Sequence, residues 1–249
     1  MTPYNKPVRR NMIDEPRQAF GGVSMTNYPI KSWELFDLTQ SQAGPLLREL
    51  VFPWAALSRI HDLILELGPQ LPKEDYEQLS EDVWVAKDCK IAATACIGGP
   101  AIIGHETDIR PGAYIRTNAL VGDHAVVGNS TELKNVILFN RVQVPHYNYV
   151  GDSILGYQAH MGAGAITSNV KGDRSQVILR LGTDRVETGL KKLGALIGDG
   201  AEIGCNSVLN PGSIIGRNTQ VYPLTMVRGL IPPNCIYKQT GEIVAKVTT

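Results

Sequence analysis

The chain has 249 residues, 43% of them hydrophobic, and its 24 basic side chains are matched by 24 acidic ones, so the formal net charge is zero. That balance excludes the basic footprint expected of a nucleic-acid binder. No apolar run approaches the ~20 residues that cross a bilayer, and the opening MTPYNKPVRRNMIDEP lacks the apolar core of a secretion signal. Cys89, Cys96, Cys205 and Cys235 show no CxxC spacing and read as reduced, partly buried thiols of a cytoplasmic protein, with no disulfide or zinc frame.

In chain order, residues 1–29 are polar and aperiodic and predict an irregular arm. Residues 33–68 predict helix, within an N-terminal arm and helical region over 1–82. Pro53 suits a first helical turn and Gly68 a C-cap. Trp54, Leu57, Ile60, Ile64 and Leu67 form one apolar stripe, with His61 beside it as a structural histidine. The stripe packs on the rest of the chain or docks a partner.

From Val85 the pattern changes to a period of six: Val85, Ile91, Ile97, Ile103, Ile109, Ile115, Val121, Val127, Leu133 and Phe139 are all apolar. The series skips one residue to Val144 and Val150, skips again to Leu155, Met161 and Thr167, and resumes from Ile197 to Val227. Six matches neither the 3.6 period of a helix nor the period of two of a strand. It matches short strands meeting at corners, three sides to a coil of 18 residues, coils stacking at ~4.8 Å. The fold class is therefore an all-β solenoid, a parallel β-helix of hexapeptide repeats, spanning 83–230 in about six to seven coils. Residues 168–196 interrupt the repeat, and QVILRLGTDRVETG within them predicts a protruding β-hairpin. The tail, 231–249, predicts a second hairpin capping the open end of the stack.

The coil length turns sequence spacing into proximity. Arg116 and Lys134 lie 18 apart, each after an inward position, so they stack on one corner. Two cations ~5 Å apart, with no acid between them in the column, favour a dianion such as phosphate. Arg110, in IRPG, falls on a different side. His146 lies two residues past Val144, and one 17-residue coil further on is Ala163, whose small side chain leaves room for a ligand beside an imidazole able to take a proton near neutral pH. His105, His124 and His160 do not stack with His146 as a metal set, and no HExxH occurs. No G-x-S-x-G elbow or phosphate loop is present.

The segments GNSTELKN and VPHYNYVGDSILGYQAHMGAGAITSN resemble the C-terminal acetyltransferase domain of the bifunctional bacterial enzyme that makes UDP-N-acetylglucosamine. The resemblance covers roughly 85–230. It implies a left-handed helix, a homotrimer with sites between solenoids, acetyl-CoA as co-substrate and a glucosamine 1-phosphate-like acceptor. It implies His146 as general base, Arg116 and Lys134 on the sugar phosphate, and Tyr149 on the sugar. It implies Ala163 and Asn169 at acetyl-CoA, and backbone N–H groups of Gly162–Gly164 facing the oxyanion. The chain departs from the family in several places, among them an Arg-Pro-Gly motif one hexapeptide early, at Arg110. His160 replaces a sugar-contacting Asn, Val170 an aromatic, and Cys205 a coenzyme-contacting Ser. The insertion 174–196 has no counterpart. The nucleotidyl-transferring N-terminal domain is absent from this sequence, so no nucleotidyl transfer is expected. The expectation is an amino-sugar-phosphate N-acetyltransferase; the alternative is a sugar-phosphate or sugar-nucleotide binding subunit that has lost catalysis.

Overall fold

The computed structural model describes residue 28, residues 30–181 and residues 183–246. The arm expected over 1–29 lies, apart from Tyr28, outside the described residues.

Short parallel strands stack in three columns that form three faces of a parallel β-solenoid. On the first face, Val83–Ala86, Ala101–Ile103, Ala119–Val121, Glu132–Leu138, Tyr149–Leu155, Ala195–Ile197, Ser213–Ile215 and Leu230–Ile231 follow one another. That makes eight coils on this face rather than six or seven. The second face runs from Lys90–Ile91 to Cys235–Tyr237, and the third from Cys96–Ile97 to Met226–Val227. Register is +18 at first, as Val85 to Ile103 and Ile103 to Val121. It shortens to +17 where Val121 meets Leu138 and Leu138 meets Leu155. The missing residue is lost between Leu133 and Leu138, so Glu132–Leu138 and Tyr149–Leu155 run from the third face onto the first without a break. Leu138 thus takes the inward position that the period of six assigns to Phe139. Phe139 follows it and packs on Phe36, ring centroids 5.2 Å apart.

The first face is apolar on both sides. Outside the inward series, Trp84, Ile102, Leu120, Ile137, Ile154, Leu196, Ile214 and Leu230 form a second aligned column, all but Leu230 buried. A strand buried on two faces reads as a continuous apolar run, as in VWVA or ALI. The N-terminal region covers this column. Trp54, Leu57, Ile60 and Ile64 are buried, and the segments carrying them, Pro53–Ser58 and Ile60–Leu67, pack on the strands Ala119–Val121, Glu132–Leu138 and Tyr149–Leu155. The stripe is therefore occupied within the chain and is not a partner-docking face. The single long helix resolves into short pieces. Pro53 begins a 3-10 segment, Pro53–Ser58, and the α-helix Ile60–Leu67 follows after Arg59, which caps both. Gly68 is the C-cap, as expected, its N–H bonded to Ile64 O, with a right-handed φ of −52°. A Cβ there would run into the Trp84 ring, so glycine is required for close approach.

The interrupting segment contains the expected hairpin, Ile178–Leu181 paired antiparallel with Asp184–Glu187. Val177, Leu179, Leu181 and Val186 are buried, so the hairpin is packed down rather than projecting free. At the C-terminal end Cys235–Tyr237 pairs antiparallel with Ile243–Ala245. At the other end Tyr76–Ser80 pairs antiparallel with Val83–Ala86. Both ends of the stack carry such a strand.

Candidate functional site

His146 closes the second-face strand Gln143–His146. Backbone bonds step up this corner coil by coil: Tyr147 N–H to Asn129 O, Gly164 N–H to His146 O, Asn206 N–H to Ala163 O and Leu224 N–H to Cys205 O. Asn129, His146, Ala163 and Cys205 therefore form one ladder. The turn after each lies in the left-handed backbone region, at Ser130 (φ 52°), Tyr147 (51°), Gly164 (71°), Asn206 (54°) and Leu224 (57°). Bulky residues are costly there, and the coil stacking holds Tyr147 and Leu224 in it.

The sequence contains five histidines. His105 faces Asp88 at 3.1 Å, His124 faces Glu106 at 3.1 Å, His160 faces Glu202 at 2.7 Å, and His61 contacts Asn118 Oδ1 at 3.1 Å. Only the exposed His146 ring has no hydrogen-bond partner among the described residues. Its backbone is pinned: His146 N–H donates to Asn148 Oδ1 at 3.1 Å, and the buried Asn148 donates through Nδ2 to Gly162 O (2.9 Å) and Ala165 O (3.0 Å) in the next coil. Within Gly162–Gly164, the N–H groups of Gly162 and Gly164 are spent on Ile203 O and His146 O. That narrows the expected oxyanion donors to one: Ala163 N–H, one coil from His146 and unpaired among the described residues.

Arg116 and Lys134 share an edge, because Ile115 and Leu133 before them are in register. That edge is the opposite border of the third face from His146, so the pair does not lie beside the imidazole within this chain. Nor are the cations free of acids. Arg116 Nη1 donates to Glu132 at 2.9 Å, and Lys134 Nζ donates to both oxygens of Asp152 at 3.1 and 3.2 Å. Asp152, 4% exposed, also accepts from Asn135 (3.0 Å) and Asn169 (2.5 Å). A buried carboxylate with this many donors is a fixed hub, and sequence reasoning missed it.

Tyr149 connects the two borders. It opens the strand Tyr149–Leu155 just past the His146 corner, and its hydroxyl accepts from Asn169 Nδ2 at 3.2 Å. Burial holds its phenol above the usual tyrosine value, with Asn169 opposing. Of the residues expected at the coenzyme, Ala163 and Cys205 lie on the His146 ladder, while Asn169 belongs to the Lys134–Asp152 cluster. His160 is on the outside of the second face, in register with Gln143 and Glu202. It lines a shallow polar groove with Arg141, Gln158 and Asn218 and meets neither Tyr149 nor Lys134. Arg110 is paired with Asp108 at 2.8 Å. No cluster of three His, Cys, Asp or Glu side chains suited to a metal ion exists among the described residues.

The sequence is similar to those of several known proteins. Residues 97–181 match the family model described as the GMPPB C-terminal domain. A bifunctional sugar-1-phosphate nucleotidylyltransferase/acetyltransferase of Sulfurisphaera tokodaii is 31% identical over 154 residues, 62% of this chain and 38% of that protein. The bifunctional protein GlmU of Methanococcus maripaludis is 34% identical over 119 residues, 47% of this chain and 29% of that protein. Among solved structures, the acetyltransferase domain of PglB from Neisseria gonorrhoeae in complex with acetyl coenzyme A aligns at 14% identity and TM-score 0.32, over 63% of this chain and 54% of that one. WeeI from Acinetobacter baumannii aligns at 16% and 0.38, over 62% and 57%. The chain thus spans roughly a third of the length of the curated relatives named here.

Proposed function

We propose that this chain is an acyltransferase that moves an acetyl group from acetyl-CoA to the amine of an amino-sugar phosphate of the glucosamine 1-phosphate type. The observation that carries the reading is the His146–Ala163 step of the ladder: an imidazole and, one coil away, a backbone N–H, both without a partner among the described residues. The amine nitrogen attacks the thioester carbonyl, His146 accepts the proton the nitrogen loses, and as the C–S bond breaks that proton passes to the departing sulfur, releasing the thiol. Ala163 N–H stabilises the oxyanion between these steps. Arg116 and Lys134 orient the phosphate through the N–H groups their carboxylate partners leave free. They lie across the third face from His146, so a second copy supplies one half of each site in a homotrimer. The exposed Tyr114, Tyr147, Leu224 and Met226 on and beside that face fit such an apposition.

The test is thiol release from acetyl-CoA in the presence of glucosamine 1-phosphate. His146→Ala is expected to lower kcat by about 10²–10⁴-fold with the fold intact, while Arg116→Ala raises KM. Equal turnover by wild type and His146→Ala removes His146 from the chemistry. Ligand binding without any thiol release by the wild type leaves only the non-catalytic alternative.

A further inference from the structure

The insertion carries a charge the rest of the chain does not. Residues 168–194 contain six basic side chains, Lys171, Arg174, Arg180, Arg185, Lys191 and Lys192, against three acidic ones, Asp173, Asp184 and Glu187, a net +3 in a chain whose total is zero. Its hairpin is pressed onto the solenoid at two glycines in the left-handed backbone region. A Cβ on Gly212 would lie 2.8 Å from Val177 Cγ1, and one on Gly229 would lie 2.9 Å from the carbonyl oxygen of Arg180. This seating brings Arg180 next to Arg228, the residue before Gly229. Both line a cleft of about 100 Å³ between hairpin and solenoid, with Lys171, Asn210 and Pro211.

Lys171 is paired with Asp173 at 3.5 Å, but the arginines beside it are not neutralised. Across the hairpin ladder Arg180 stands directly opposite Arg185, an arrangement that costs stability when the charges are alike. None of Arg180, Arg185 and Arg228 has a carboxylate partner among the described residues, whereas Arg110, Arg116 and Arg217 each have one. Guanidinium forks pair with phosphate in two-point fashion. An anion between hairpin and solenoid would relieve the repulsion that the packing imposes.

We infer that the cleft between the hairpin and the solenoid edge binds a diphosphate-bearing ligand, held by Arg180 and Arg228 with Lys171 at its rim. The inference stands apart from the acyltransferase reading. The diphosphate belongs either to the acyl donor or to a separate nucleotide. Arg228 continues the border that carries Arg116 and Lys134, since Ser168 N–H bonds to Leu209 O and Asn210 N–H to Val227 O along it.

The experiment is calorimetric titration of the full chain with inorganic pyrophosphate at low salt, repeated with coenzyme A and with UDP as competitors. Wild type is expected to bind pyrophosphate, more weakly as salt rises, and to melt at higher temperature in its presence. The double variant R180A/R228A is expected to lose at least ten-fold in affinity, and R228A alone at least three-fold. K192A, which removes equal charge outside the cleft, stays within two-fold. Displacement by coenzyme A alone assigns the cleft to the acyl donor, and displacement by UDP alone assigns it to a separate nucleotide. No pyrophosphate binding by wild type, or equal loss in K192A and R228A, overturns the site. Thiol release is measured separately in R228A, so failure of this site is distinguishable from failure of the proposed catalysis.

Discussion

Cys89 and Cys205 show how much a side chain's chemistry depends on which surface of the coil it occupies. Cys89 donates to Gly104 O at 2.9 Å, and burial pushes its thiol up to about 11. Cys235 is buried and raised by the same cause. Cys96 and Cys205 are exposed. Because the thiolate is the reactive form, a disulfide reagent at pH 8 is expected to titrate two thiols quickly in the native protein and four after denaturation. Rapid modification of Cys89 would contradict the stacking described. Asn148 is a sharper case. Asn148→Ala strands the His146 N–H and the Ala165 carbonyl, while Gly162 O keeps the Ala165 N–H, at a cost of about 1–3 kcal/mol measured by denaturant unfolding. It should also lower kcat more than it raises KM, because it frees the His146 backbone. His146 was legible from its spacing to Ala163. Asn148 was not, because nothing in HYNY marks its third residue as the one that spans coils. Asp152 was not legible either: the coil has shortened to 17 residues there, so Lys134 stands in register with Gly151 and Asp152 lies one residue further on.

For the elements, the period of six specified which residues point inward but was silent about the outward side. The first face needed a second criterion, the unbroken apolar runs that mark strands buried on both sides. Those runs explain why a helical region precedes the solenoid. A full column of apolar side chains would otherwise face water, at roughly 1.5–3 kcal/mol for each large one. Gly68 lies where that cover meets the column. Gly68→Ala places a methyl against the Trp84 ring, and overpacking of this kind costs about 1–3 kcal/mol. A fall in Tm with quenched or shifted Trp fluorescence is the expected readout. The same substitution at Gly172, where an added Cβ meets nothing within 4 Å, should leave Tm within a degree or so of wild type. The hairpin in the insertion was legible from its alternation. Its seating was not, because Gly212 and Gly229 lie in later coils and look like ordinary corner glycines.

At the scale of the molecule, a solenoid is a stack whose interior coils satisfy one another and whose terminal coils do not. This chain answers that at both ends with an antiparallel strand, Tyr76–Ser80 at one and Ile243–Ala245 at the other. The second is the more readily tested. Ending the chain at Lys238 removes Ile243–Ala245 and leaves Cys235–Tyr237 with a row of unpaired N–H and C=O groups, the template on which strands from other chains add. The coils beneath keep their own ladders, so circular dichroism should change little and Tm should fall by only a few degrees. The change should appear in solution size: light scattering of the truncated chain should rise with concentration, beyond the discrete species formed by the full-length chain. Ile236→Lys in the truncated chain adds a charge to the bare edge and should suppress that growth. If the truncated chain matches the full-length chain in size at every concentration, the hairpin is not acting as an edge guard, and its role lies instead in anchoring the last coil through the Lys246 N–H bond to Asn234 O.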